Sequence, residues 1–178
     1  MTIDELLQST SRFELGSMPE ADALTELDAL QEADLADVQV DAEHGVVALL
    51  FDLRSALQFR MANTAVLVLR GATDFEWAHG QQHPHHREAH YVMSSSTAVD
   101  GNRLAIEVVC LRGWRVRANC QAAEFFVGDI PGLSEAPPNF VEDTPATIEA
   151  GMPSWSSPFE AHWATFIHPR PMSDGFDG

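Results

Sequence analysis

Five of the eight histidines fall within twelve residues, at His79, His83, His85, His86 and His90, and Glu88 stands among them. Neutral imidazole nitrogens and carboxylate oxygens are the donors that zinc and non-haem iron sites use. Residues two apart on a strand point the same way, so His83 with His85, or His86 with Glu88 and His90, present convergent donors. The candidate metal site is therefore His83, His85, His86, Glu88 and His90, with zinc or iron as the ion. The order His86-Arg87-Glu88-Ala89-His90 departs from the zincin pattern, whose glutamate directly follows the first histidine, and Pro84 marks a surface loop. The competing reading is an exposed polar loop that needs no cofactor.

Other catalytic templates are missing from the sequence. It has no phosphate-cradling glycine loop, no serine at a strand-turn-helix elbow and no paired-cysteine zinc motif. Ser94-Ser95-Ser96 lies in a strand with no base beside it. Arg115, Arg117 and Glu107 share one polar face of a hairpin, where they either receive an anion or form cross-strand pairs. The residues lean away from an enzyme.

The elements around these residues are mostly strands. From His90 to Asp129 three strand-like runs follow one another, and the hydrophobic alternation fixes their faces. A loop at Arg112-Gly113-Trp114 pairs Cys110 with Val116 and Val108 with Ala118, leaving Arg115, Arg117 and Asn119 on the wet side with Glu107. A two-residue turn at Asp100-Gly101 puts Thr97, Ser95, Met93 and Tyr91 on the dry face with Leu104, Ile106, Val108 and Cys110. Cys110 and Cys120 share that face at roughly 13 Å, beyond disulfide reach, and read as buried thiols. Upstream, Val38 and Val40 alternate with polar residues, and Ala42-Glu43-His44-Gly45 turns the chain into Val46-Val47-Ala48-Leu49-Leu50-Phe51. That run and Ala65-Val66-Leu67-Val68-Leu69 are apolar on both faces, so each requires cover above and below.

Thr2 and Glu5 have capping-box spacing before Ile3, Leu6 and Leu7, which predicts a first short helix. Ala23, Leu24, Leu27, Leu30 and Ala33 then recur at helical spacing opposite Glu20, Asp22, Glu26, Asp28 and Glu32, predicting a second helix with an acidic face. Those five acids are the candidate partner-binding row. Near the C-terminus, Ile130-Pro131-Gly132-Leu133 has the composition of a type II turn, and Thr144-Pro145 opens a short helix. Trp155, Phe159, Trp163 and Phe166 predict a docked C-terminal segment.

The formal charge of -17 comes from 27 acids against ten arginines, with no lysine. Residues 1–50 carry -11, residues 51–130 are neutral and residues 131–178 carry -6. Such a field disfavours nucleic acid and anionic membranes and favours a basic protein partner. No apolar run reaches the length of a membrane span, and the N-terminus lacks signal-peptide character, which predicts a cytoplasmic protein. The length of 178 residues predicts a single domain over 1–170 with a disordered tail at 171–178, and homo-oligomerisation stays open.

The phrases Phe51-Asp52-Leu53-Arg54, Glu124 to Leu133 and Gly151-Met152-Pro153-Ser154-Trp155 resemble those of an uncharacterised bacterial family of small acidic proteins. The likeness runs over residues 36–168 and implies no activity. More loosely, a small acidic α+β protein of this kind is similar to immunity proteins, which neutralise a partner toxin. The expected fold is α+β and mainly β: an antiparallel meander of about six strands, two N-terminal helices and a docked C-terminal segment. The expected function is a non-catalytic, acidic protein-binding module, an immunity-type inhibitor of a basic partner. The alternative is a metal- or small-ligand-binding β-barrel built around the histidines at 79–90.

Overall fold

Two runs that are apolar on both faces set the architecture, because each demands packing on both sides. The computed structural model describes residues 1–8, 20–78 and 90–168. Among them are nine strands: β1 (Asp34–Asp41), β2 (Val46–Asp52), β3 (Thr64–Arg70), β4 (Asp74–Ala78), β5 (His90–Asp100), β6 (Arg103–Cys110), β7 (Arg115–Cys120), β8 (Ala122–Asp129) and β9 (Glu160–Ile167). Two short helices, α1 (Ile3–Gln8) and α2 (Pro145–Gly151), accompany them. All pairings are antiparallel, in the order β4-β7-β6-β5-β1-β2-β3-β8-β9.

Nine strands are more than the six or so expected; two of the extra strands come from corners and the third, β9, is the docked C-terminal segment. β3 and β4 are one run of chain bent at Gly71, and β7 and β8 are one run bent at Gln121. The bent runs stay paired through the corner, where Gln121 N–H donates to Arg70 O (2.9 Å) and Thr73 N–H to Asn119 O (2.9 Å). Gly71 has φ 63°, and a Cβ there would press on the Gln121 side chain. Ladder sums differ by one residue across the bend, from Arg70↔Ala122 to Asp74↔Asn119. That extra residue is why Val116, Ala118 and Cys120 point inward on β7 while Ala123, Phe125 and Val127 do so on β8. Because β1 also pairs with β5, the pairings return to their start and the sheet closes into a barrel.

The barrel interior holds the larger apolar cluster, including Leu49, Phe51, Leu67, Leu104, Val108 and Phe125. A second cluster lies outside the β2–β3–β8 half, where Leu50, Val66, Val68 and Phe126 meet Ile3, Leu6 and Phe159. The two runs thus receive both covers. α1 starts with the expected capping box, Thr2 N–H to Glu5 Oε2 (2.8 Å) and Glu5 N–H to Thr2 Oγ1 (3.3 Å). Thr144 caps α2 through Thr147 N–H (3.2 Å), with Pro145 in its first turn. The docked C-terminal segment is β9, paired along β8. Residues 169–178, which include the tail expected at 171–178, lie outside the described residues.

The second N-terminal helix does not form. Residues 20–33 are a chain of turns in which Asp28 (φ 58°) and Glu32 (φ 69°) adopt left-handed backbone that breaks any helix. The segment exchanges helical bonds for bonds to the edge of β5. Asp28 N–H donates to Ser95 O (2.8 Å), Glu32 N–H to Val92 O (3.0 Å) and Val92 N–H to Ala33 O (2.8 Å). Ala23, Leu24, Leu30 and Ala33 are buried as the pattern requires, but Leu27 is exposed.

Both hairpin registers also differ from expectation, each by two residues in the ladder sum. Gly101-Asn102 forms the β5–β6 turn, and the β6–β7 connection widens to a 3-10 turn over Leu111–Gly113, giving Val108↔Val116 and Ile106↔Ala118. A shift of two leaves every side chain on its expected face. At Met93 a bulge changes that face, so Val92 enters the core while Tyr91 and Met93 turn outward.

Candidate functional site

His90 opens β5 opposite Leu35, and its ring lies 4.2 Å from that of Trp114 and 6.2 Å, edge-on, from Trp77. His79, His83, His85, His86 and Glu88 lie outside the described residues. Among the described residues no three histidine, cysteine or acidic side chains group to hold a metal. Two other histidines form surface pairs with aspartates: His44 Nδ1 with Asp41 Oδ2 (2.7 Å) and His162 Nε2 with Asp129 Oδ2 (3.0 Å). The backbone N–H of His44, followed by its ring, holds the Asp41 carboxyl below the usual range.

The five acids of residues 20–32 do not share a helical face. Asp22 is buried and accepts from Leu24 N–H (2.9 Å), Thr25 Oγ1 (3.0 Å) and Thr165 Oγ1 on β9 (2.7 Å). Glu20 accepts from Arg60 N–H (3.0 Å), Glu26 from Asp22 N–H (3.3 Å) and Asp28 from Ser95 N–H (3.1 Å). Glu32 is held through its backbone against β5.

At the end of β2 remote from the β1–β2 turn sits a buried ion pair. Asp52 Oδ2 lies 2.6 Å from Arg54 Nη2, both side chains being almost fully enclosed. The remaining guanidinium hydrogens reach Ser134 O (3.1 Å), Ala136 O (3.1 Å) and Gly151 O (2.7 Å), so one arginine ties the 134–151 segment to the barrel. Asp34 stands across the ladder from Asp52. Burial first, then repulsion from Asp52, pushes its carboxyl up to about 6. Burial also pushes the Cys110 thiol up to about 12, with a contribution from Asp34, and the Cys120 thiol up to about 11. Neither is a thiolate at neutral pH, so neither is poised as a nucleophile.

A concavity lies on the outer face of β4–β7–β6–β5, a hollow of about 630 Å³. Alternation puts the polar residues of these strands there. One row across the strands reads Glu76–Arg117–Glu107–Ser96, and the next reads Asp74–Asn119–Ala105–Ala98. Glu107 Oε1 accepts from Arg117 Nε (2.8 Å), and Arg115 Nε stands 3.2 Å from the same oxygen. Asn119 Nδ2 donates to Asp74 Oδ2 (3.3 Å). Ala98 and Ala105 leave the centre low, between ridges of longer side chains.

The sequence shows the wet face of Glu107, Arg115 and Arg117 but not its other wall. The missed signal is the alternation Asp74-Phe75-Glu76-Trp77, which marks β4 as a strand with Asp74 and Glu76 on that same face. No family model, curated protein or solved structure matches this chain.

Proposed function

We propose that the protein is a non-catalytic, acidic protein-binding module, an immunity-type inhibitor that meets a basic partner. The observation that carries this reading is how the barrel is used. Its interior is lined mainly with apolar side chains and two protonated thiols, and the polar residues of β4, β7 and β6 are turned out onto one uncovered sheet face. A filled barrel stores no ligand, whereas a charged and concave outer face suits a macromolecule. The charge of -17 would steer a basic partner into contact.

The test is elemental analysis of untagged, dialysed protein, together with native mass spectrometry of complexes purified at low and high salt. The expected outcome is metal-free, folded protein that carries a basic protein at low salt and releases it as salt rises. A second reading, a metal- or small-ligand-binding barrel using the histidines at 79–90, draws on the aromatic cluster of Trp77, His90 and Trp114 at the root of that loop. One stoichiometric equivalent of zinc or iron, lost in the His86→Ala/His90→Ala double variant, would replace the first reading with the second.

A further inference from the structure

We infer that the hollow on the outer face of β4–β7–β6–β5 is the docking surface, and that it takes a loop of a protein partner bearing both signs of charge. On that loop, Lys or Arg meets Asp74 and Glu76, and a carboxylate meets the outer nitrogens of Arg117, with Arg115 one row away on the same strand. The inference rests on the protein-binding reading above and adds to it the surface and the chemistry of the partner.

Charge and geometry carry the argument. Arg117 Nε donates to Glu107 Oε1 (2.8 Å), which holds that side chain in place, while Arg115 Nε lies 3.2 Å from the same oxygen as a charge contact without a hydrogen bond. Their Nη groups make no hydrogen bond among the described residues, so both guanidiniums keep donors for a bidentate ligand. Glu76, exposed and across the ladder from Arg117, makes no hydrogen bond or ion pair among the described residues. Among the described residues Asp74 accepts only from Thr73 Oγ1 and Asn119 Nδ2. The face therefore carries an acidic edge along β4 and a cationic ridge along β7, one strand spacing apart.

A uniformly basic partner would be drawn in by the overall field and then meet two guanidiniums at contact. A uniformly acidic one would be repelled by the field before arrival. A loop with a cation and an anion at matching spacing satisfies both, so the net charge sets the rate of encounter and the two-signed pattern sets the register. The low centre at Ala98 and Ala105 receives the aliphatic stems of the partner's side chains.

The probe is a displayed library of random peptides panned on the full chain. Enriched clones are then measured against Glu76→Lys, Arg117→Glu and, as a control with the same charge change as the first, Glu135→Lys on a distant exposed position. Unchanged circular dichroism and melting confirm that each bait is folded. The expected result is enrichment of peptides carrying both signs, which lose at least about tenfold in Kd on Glu76→Lys and on Arg117→Glu but not on Glu135→Lys. Peptides that bind all four baits alike, or that weaken equally on Glu76→Lys and Glu135→Lys, overturn the docking face while leaving an acidic protein-binding module in place. A library that yields no salt-sensitive binder at all overturns both.

Discussion

The two halves of the barrel wall are built from the same kind of ladder but are used differently. On the β2–β3–β8 half, successive residues such as Leu49 and Leu50, or Leu67 and Val68, are all buried, because the interior lies on one side and α1 with Phe159 on the other. On the β4–β7–β6–β5 half, Ile106 and Val108 are buried while Ala105 is exposed and Glu107 half-exposed. The first half is a structural wall with no free side. The second spends one face on stability and keeps the other for solvent or a partner, so changes to the two halves should separate stability from binding.

The largest effect is expected where the covered half is tied down. Arg54→Ala leaves Asp52 buried without its cation and releases the 134–151 segment, which should cost about 3–5 kcal/mol in urea denaturation. Loss of less than about 1 kcal/mol would mean that the segment is held by other contacts. Leu50→Ala, on the outer side of the same wall, should cost about 2–5 kcal/mol, whereas Ser96→Ala on the open face should stay within about 0.5 kcal/mol. Equal costs would erase the distinction between the halves. Gly128→Ala, whose added Cβ would sit on the Glu160 carbonyl, should cost about 1–3 kcal/mol by forcing β9 away from β8.

Asp34→Asn should act in the opposite sense. The Asp34 carboxyl is raised from its ordinary 3.8 to about 6 in the folded state. Its contribution to stability is full below about pH 4 and is lost as pH rises through 6. Removing the charge should therefore stabilise the fold at pH 7.5 by about 1–2 kcal/mol, allowing for solvent screening of a half-buried group, with no difference between the two proteins near pH 4. Thermal melts across this range check the sign. The smallest effect belongs to the open face itself, where Glu76→Lys and Arg117→Glu should each leave stability within about 0.5 kcal/mol.

Much of this contrast is legible in the sequence, because burial on one or two faces writes itself directly into hydrophobic patterning. The double-sided runs at β2 and β3, the alternation through β6 and β7, the cap of α1 and the Thr144-Pro145 start of α2 all follow from local chemistry. The failures have a common cause in tertiary competition. Residues 20–33 have helical spacing, but the unpaired edge of β5 offers backbone partners, and the chain takes turns with left-handed residues at Asp28 and Glu32 instead. The corner at Gly71 is likewise invisible to periodicity, since the alternation keeps its phase across the bend, and the corner at Gln121 shows only as a one-residue slip of phase between Cys120 and Ala123. The candidate site was half visible: Glu107, Arg115 and Arg117 declare a wet face, while Asp74 and Glu76 join it only once β4 is seen to pair with β7.

The closure of the barrel has a consequence for its motion. Among the described residues β1 and β5 share the pairs Asp34↔Tyr91 and Leu35↔His90, whereas β2 and β3 share seven. Cooperative opening proceeds where the fewest backbone bonds must break, so this seam is the natural line along which the ring parts short of global unfolding. The strap of residues 22–33 lies along it, bonded to Val92 and Ser95, and acts as a latch whose release precedes any parting of the wall. Amide protons at the seam then exchange with solvent through a partial opening, while those between β2 and β3 wait for the whole molecule to unfold.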